Sequence, residues 1–162
     1  MISPRGEGIR LPDGRAGRAY NSPVTVARYH RIFPARRDAL PRVDIFLAEV
    51  CAAAGLPREG CLRLTLLVEE LFTNTVTHGH SADSDAPVRL ECEATPGRIM
   101  LIYEDTAPAH DPFAAVTAPD TAAAVEDRPV GGLGVLLVSA MARQVEYRRV
   151  GNKNRITLVT GG

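Results

Sequence analysis

Residues 69–78 read EELFTNTVTH and fall in a helix that we predict from residue 57 to about residue 78. Glu70, Asn74 and His78 are spaced four apart, so on a helix they form one polar stripe. The buried side of the same helix is marked by Leu64, Leu67, Leu71 and Phe72. A carboxylate one turn from a carboxamide could hold a metal-bound polyphosphate, because an Asn oxygen suits Mg²⁺ and a Glu can accept a proton from an attacking hydroxyl. A solvated polar stripe, with His78 near the C-terminal dipole, is the alternative interpretation.

The elements around this helix predict a two-layer α/β sandwich. We first predict a strand from Val24 to Phe33, a helix from Arg36 to Ala54 that stops at Gly55, and the helix of residues 57–78 capped by Gly79. Two strands follow, from Val88 to Ala94 and from Arg98 to Glu104. The chain then continues with a helix from Val135 to about Ala142 and with strands from Val145 to Val150 and Arg155 to Thr160. Consecutive strands joined by short turns make a mostly antiparallel mixed sheet, which the helices cover on one face. Residues 1–22 are rich in Gly, Arg and Pro and predict a flexible tail, which leaves residues 23–162 as one domain.

The composition excludes several kinds of site. Lys+Arg and Asp+Glu are 19 each, so the chain lacks the basic excess of a dedicated nucleic-acid binder, and we expect protein partners instead. Lys153 is the only lysine and does not follow a Walker A glycine loop, so a nucleotide site must be built another way. Cys51, Cys61 and Cys92 form no CxxC pair and predict buried free thiols in a reducing compartment. With no apolar run long enough to span a membrane and no secretory signal pattern, we expect a cytoplasmic protein.

Two further segments place polar or flexible residues where elements meet. Asp105 follows a predicted strand directly, and a carboxylate there can accept a hydrogen bond from an exocyclic amine such as that of adenine. An Asp-initiated turn with prolines is the simpler alternative. Residues 131–134 read GGLG before a predicted helix, where glycines allow close backbone approach and the helix N-terminus attracts anions. A flexible entry to a packed helix is the alternative there.

In this order and spacing, the three segments resemble the boxes of the GHKL ATPases. The resemblance is closest to the anti-sigma-factor serine kinases of the histidine-kinase-like ATPase superfamily, and it runs from about Val24 to the C-terminus. It rests on Glu70-x-x-x-Asn74 followed by His78-Gly79, on residues 105–112 as a box similar to Asp-x-Gly-x-x-Phe-Asp-Pro, and on the Gly-Gly-x-Gly of residues 131–134. It implies a Bergerat-type α/β sandwich, which agrees with the predicted order of elements.

The resemblance also implies roles for single residues. It makes Glu70 the catalytic base, Asn74 the ligand of Mg²⁺ and Asp105 the residue that recognises adenine. The ATP-binding residues that it implies are Asn74, Asp105, Ala107, Asp111, Gly131, Gly132, Leu133 and Gly134, and the loop before residue 131 would be an ATP lid. Ala107 stands where the family usually has Gly, and His110 replaces a usual Phe. We expect the added methyl group to crowd the nucleotide and to disfavour a positive φ.

The implied function is transfer of the ATP γ-phosphoryl group to a serine of a STAS-domain anti-anti-sigma protein. Mg²⁺ would be the cofactor. A sigma factor or another regulator would compete with the STAS-domain protein for binding. We also expect that the chain can form a homodimer. The alternative is a non-catalytic ATP-binding module that only holds a partner. A sensor histidine kinase would need a phosphoacceptor helix pair, and a chaperone or topoisomerase subunit would need further domains, so we expect neither here.

Overall fold

A computed structural model describes residues 25–114 and 142–161, which form a five-stranded sheet with two helices packed on one face. The elements are β1 (Ala27–Pro34), α1 (Leu40–Ala54), α2 (Arg58–Asn74), β2 (Pro87–Thr95), β3 (Arg98–Asp105), β4 (Gln144–Val150) and β5 (Lys153–Gly161). The strand order is β1-β2-β3-β5-β4, and all four pairings are antiparallel. The predicted two-layer α/β sandwich is therefore confirmed. The predicted tail of residues 1–22, the GGLG segment and residues 135–141 of the predicted third helix lie outside the described residues.

Helix α1 forms because its apolar residues recur at helical spacing and meet the sheet. Its buried residues are Val43, Phe46, Leu47, Val50, Cys51 and Ala54. The first predicted turn is a separate 3₁₀ turn, Arg37–Ala39, whose leading N–H donates to the Asp83 carboxylate at 2.9 Å. The helix ends at Gly55, whose φ of +60° is the left-handed conformation that glycine adopts most readily. Of the helices that the structure describes, none is both long and apolar enough to cross a bilayer.

Helix α2 does not end as predicted. It runs on past Asn74 into a π-helical turn, Thr75–Gly79, and the residue after that turn is His80. Gly79 is not among the glycines with a positive φ in the described residues, so its predicted role as a left-handed cap is wrong. Glycine is needed there for space, because a Cβ at Gly79 would lie 2.6 Å from the Cβ of Ala107. Single π turns inside helices are rare and occur frequently at functional sites.

The sheet buries alternate residues under the helices. Its inner face includes Val88, Leu90, Cys92, Ala94, Ile99, Leu101, Tyr103, Ile156 and Leu158, all buried. The β2–β3 and β4–β5 hairpins turn at Gly97 (φ +72°) and Gly151 (φ +60°). Strand β5 begins two residues earlier than predicted, so Asn154 belongs to the strand and not to the turn.

One cross-strand row at the end of the sheet consists of Asp105, Asn154 and Arg149. Asp105 on β3 is opposite Asn154 on β5, and Asn154 is opposite Arg149 on β4. Side chains opposite one another in an antiparallel sheet share a face and lie close together. The register therefore brings three polar side chains together where β3 ends.

The three cysteines are free, as predicted. Cys51 and Cys92 are buried and Cys61 is half-buried. Burial raises the pKa of the Cys51 and Cys92 thiols to about 12, and for Cys51 a hydrogen bond with Cys61 adds to the shift. Thiols with such a pKa are almost entirely protonated at neutral pH and react slowly.

Candidate functional site

A cavity of about 270 Å³ lies between the C-terminal end of α2 and the end of β3. The α2 side and its π turn contribute Asn74, Thr75, His78 and Gly79. The sheet and the segment after β3 contribute Tyr103, Asp105, Ala107, His110 and Asn154. Small-molecule sites usually measure ~300–1,000 Å³, so this cavity is sized for part of a nucleotide.

Asp105 is buried, and most of its hydrogen-bonding capacity is used. Its Oδ1 accepts from the Ala107 N–H at 2.9 Å and from the Asn154 carboxamide at 2.8 Å. Its Oδ2 accepts from the Thr75 hydroxyl at 2.9 Å. A carboxylate has about four lone-pair positions, so the donors in the described part of the chain leave one position on Oδ2 for another donor. The exocyclic amine of a base is a donor of the required kind.

The Thr75 hydroxyl is fixed by Tyr103. The two hydroxyl oxygens are 2.8 Å apart, and Thr75 Oγ1 also lies 3.0 Å from the Leu71 carbonyl oxygen. Burial raises the pKa of Tyr103 well above its usual value, so this phenol stays protonated and can donate to Thr75. The single Thr75 hydrogen then goes preferentially to Asp105 Oδ2, because a carboxylate is a stronger acceptor than a carbonyl.

The sequence did not predict Thr75, Tyr103 or Asn154 as residues of this site, and Asn154 makes the most hydrogen bonds of the three. It is buried, and its NH₂ group is within hydrogen-bonding distance of Asp105 Oδ1 and of the carbonyl oxygens of Pro108 (3.1 Å) and Ala107 (3.3 Å). With two hydrogens for three acceptors, at least one contact is shared. The carboxamide thus joins the end of β3 to the segment that follows it.

The other end of the Asn154 carboxamide is equally occupied. Its Oδ1 accepts from the Tyr147 hydroxyl and the Arg149 guanidinium, both at 2.9 Å, and from the His110 N–H at 3.3 Å. The Arg149 guanidinium also donates to the Ala107 carbonyl at 2.9 Å. The sequence does contain a signal for Asn154. Extending the inward alternation of the last strand back by one step places this polar residue on the buried face.

Asn74 and Glu70 lie on one stretch of α2, as predicted, but only Asn74 lines the cavity. Both side chains are half-buried, and neither has a hydrogen-bonding partner in residues 25–114 or 142–161. Within those residues, no three His, Cys, Asp or Glu side chains are grouped so as to hold a metal. A cation beside Asn74 would therefore take its remaining ligands from a bound phosphate or from water, as Mg²⁺ commonly does.

Glu69 has a different environment from Glu70. Partial burial raises the pKa of Glu69, and the charge of Asp44 on α1, with a hydrogen bond to it, raises that pKa further. Glu69 is thus engaged with α1, whereas Glu70 remains without a hydrogen bond inside the described part of the chain. Of the two adjacent acids, Glu70 is the one available to a substrate.

The remaining predicted site residues have separate positions. Ala107 is buried in the cavity wall, and since Ser81 is the only described non-glycine residue with a positive φ, the Ala107 backbone is unstrained. The expected backbone conflict at Ala107 is therefore absent. Asp111 does not line the cavity and accepts from the Phe113 N–H at 2.9 Å. Gly131, Gly132, Leu133 and Gly134 lie outside the described residues.

Comparisons with known proteins bear on the fold and on the family of this chain. The serine/threonine-protein kinase BtrW of Bordetella bronchiseptica is 29% identical over 97 residues, which are 60% of this chain and 68% of BtrW. The crystal structure of the RsbU and RsbW domains of Rv1364c from Mycobacterium tuberculosis superposes on 82% of this chain with a TM-score of 0.57 at 16% identity. The superposed region is 32% of that longer chain, so this likeness concerns the fold. The family model of the histidine kinase-like ATPase domain matches residues 33–160, most of the sequence. The chain therefore belongs to the histidine kinase-like ATPase domain family.

Proposed function

We propose that this protein is an ATP-dependent serine kinase of the anti-sigma-factor type. Its substrate would be a serine of a STAS-domain anti-anti-sigma protein. Phosphorylation of that serine would decide which partner the kinase binds, either the STAS-domain protein or a competing sigma factor or other regulator. The observation that carries the proposal concerns residues 25–114 and 142–161. Among them, buried Asp105 keeps an open acceptor position and shares a cavity with the Asn74 carboxamide, which has no hydrogen-bonding partner there.

The Asp105 environment favours adenine over guanine. The three hydrogen bonds that its carboxylate makes with described residues all come from donors on the protein, so the free position on Oδ2 can only accept. Adenine presents an amine at its 6-position, whereas guanine presents a carbonyl oxygen that would face the carboxylate. We expect ATP to bind more tightly than GTP in calorimetry, and more tightly with Mg²⁺ than without it. Equal affinity for the two nucleotides would contradict the role given to Asp105.

The phosphate end of the nucleotide would lie toward Asn74 and Glu70. Asn74 would offer its carboxamide oxygen to a phosphate-bound Mg²⁺, which would offset charge on the phosphates. Glu70, one helical turn earlier, would take the proton of the serine hydroxyl as its oxygen bonds to the γ-phosphorus. The bond from that phosphorus to the β–γ bridging oxygen would break, and ADP would leave. The glycines of residues 131–134 stay a prediction for phosphate contact.

The proposed partners follow from the relatives and from the charge balance of the chain. The BtrW relative is named as a serine/threonine-protein kinase, and the superposed structure includes an RsbW domain. Both support a kinase that acts on a protein. The equal numbers of acidic and basic residues favour protein partners over nucleic acid. A homodimer and a cytoplasmic location remain predictions from the sequence.

The decisive experiment uses γ-labelled Mg-ATP and a STAS-domain anti-anti-sigma protein as the acceptor. We expect Glu70→Gln to keep nucleotide affinity and to lose transfer by about 10²–10⁴-fold, the usual effect of removing a general base. Glu69→Gln is the matched control, because Glu69 engages Asp44 and should transfer at the wild-type rate. Asn74→Ala should lose Mg²⁺-dependent affinity and transfer together.

Two results would change the proposal. Wild-type transfer by Glu70→Gln would show that the mechanism is wrong, and a dead Glu69→Gln would shift the base by one residue. Tight ATP binding without transfer to any STAS-domain protein would favour the alternative, a non-catalytic ATP-binding module.

A further inference from the structure

We propose that Asn154 is a positioning residue that determines base specificity by holding Asp105 in its accepting orientation. This inference rests on the proposed adenine-nucleotide site. It concerns a residue on β5 that lines the cavity with Asp105 but is contributed by the last strand of the sheet.

The sheet register brings Asn154 to Asp105. The two residues are opposite one another at the end of the β3–β5 pairing, and the Asn154 NH₂ group donates to Asp105 Oδ1 at 2.8 Å. The Ala107 N–H takes a second position on the same oxygen at 2.9 Å. With Oδ1 saturated, a base can be accepted only at Oδ2, beside the Thr75 hydroxyl. The Asn154 amide therefore selects which oxygen of Asp105 meets the ligand.

The opposite end of Asn154 fixes which way its carboxamide points. Its Oδ1 accepts from the Tyr147 hydroxyl and the Arg149 guanidinium, both at 2.9 Å. Charged Arg149 has no acceptor, and the Tyr147 hydroxyl donates. Neither group would therefore bind an NH₂ group placed where the carboxamide oxygen of Asn154 now lies. A flipped carboxamide would set its NH₂ against the guanidinium and its oxygen against the Asp105 carboxylate. The β4 strand thus keeps the NH₂ group of Asn154 on Asp105.

A purely structural role for Asn154 makes a different prediction. Its NH₂ group also approaches the carbonyl oxygens of Ala107 and Pro108, so losing it would loosen the segment after β3. Such loosening would weaken every nucleotide by a similar factor. Misdirection of Asp105 would instead remove only the contribution of the 6-amino group.

The test compares ATP with purine riboside triphosphate, which lacks the 6-amino group, by calorimetry on the full chain. A hydrogen bond to a carboxylate should make wild-type protein prefer ATP by roughly 10- to 100-fold. We expect Asn154→Leu, which is close to asparagine in size and has no NH₂ group, to reduce this ratio to about threefold or less. Tyr147→Phe is the comparison variant, because it removes a hydrogen bond from Asn154 but leaves the NH₂ group on Asp105. It should weaken both nucleotides alike and keep the ratio.

The outcomes separate this inference from the proposed function. If wild-type protein shows no preference for ATP, the adenine assignment of Asp105 fails first. If wild-type protein prefers ATP and folded Asn154→Leu keeps that ratio, the adenine site stands and the role of Asn154 is overturned. Should Asn154→Leu not fold, Asn154→Ala removes the same NH₂ group without adding bulk. A ratio preserved in that variant would refute the proposal equally.

Discussion

Gly79 and Ala107 pack so closely that one added methyl group should destabilise the fold. A Cβ built on Gly79 lies 2.6 Å from the Ala107 Cβ, about 1 Å inside the ~3.5–4.0 Å at which two carbon atoms attract. Overpacking of this kind costs about 1–3 kcal/mol. For a chain of 150–250 residues each kcal/mol lowers Tm by about 2–4 °C, so Gly79→Ala should lower Tm by roughly 2–12 °C.

The Ala107→Gly background isolates the cause. Without the Ala107 methyl group, the nearest atoms to the added Cβ are the Asn74 carbonyl oxygen at 3.9 Å and the Ala107 Cα at 4.0 Å, which are ordinary contacts. Alone, Ala107→Gly should cost about 1–2 kcal/mol, from one buried methyl group and the added backbone freedom of glycine. In that background Gly79→Ala should be neutral or stabilising, because it reduces the entropy of the unfolded chain without a clash.

Thermal and urea unfolding of the wild type, both single variants and the double variant measure this coupling. Calorimetry with Mg-ATP on the same four proteins tests the site. We expect Gly79→Ala to weaken binding and Ala107→Gly to leave it unchanged or tighter. If the two changes add without coupling, the strain does not come from the Gly79–Ala107 contact, and the reasoning fails.

Two further predictions follow from the raised pKa values. Burial and Asp44 raise the pKa of Glu69 in the folded state. Protonated Glu69 therefore stabilises the fold fully only below the unfolded pKa of about 4.3. That stabilisation is lost as the pH rises through the folded pKa, above which ionised Glu69 opposes folding. Glu69→Gln should therefore hold or raise Tm at pH 7 relative to wild type and lose that advantage by pH 4, whereas a Tm difference independent of pH would contradict this assignment. With a pKa of about 12, Cys51 and Cys92 are thiolate in about one molecule in 10⁵ at pH 7. Iodoacetamide followed by mass spectrometry should label Cys61 first and the other two only on unfolding, and equal labelling of all three in the native state would argue against the described burial.

The sequence predicted the elements that depend on local pattern. Apolar periodicity placed both helices and the strands, and Gly55 ended α1 as expected because its left-handed φ suits glycine. Local pattern also predicted the strand end at Asp105 and the α2 stripe that contains Asn74. The structure brings those two residues to one cavity.

Features that depend on distant partners were not predicted. The π turn after Asn74 places Thr75 on Asp105 and Tyr103, and these contacts join residues about 30 positions apart. Gly79 was assigned to a cap because its actual constraint, the Ala107 methyl group, follows it by 28 positions. Asn154 was placed in a turn because a two-residue error in a strand boundary moves a side chain from the buried row into a loop.

The pairing of β3 with β5 sets the Asp105–Asn154 contact independently of the length of the chain between the two residues. Asp105 and Asn154 touch although they are 49 positions apart, and their contact is set by sheet register. Closing that interval from the unfolded chain costs entropy that grows only with the logarithm of its length. Ten inserted residues would add about 0.2 kcal/mol. Changes of length between β3 and β4 should therefore leave the free energy of the Asp105–Asn154 pairing almost unchanged.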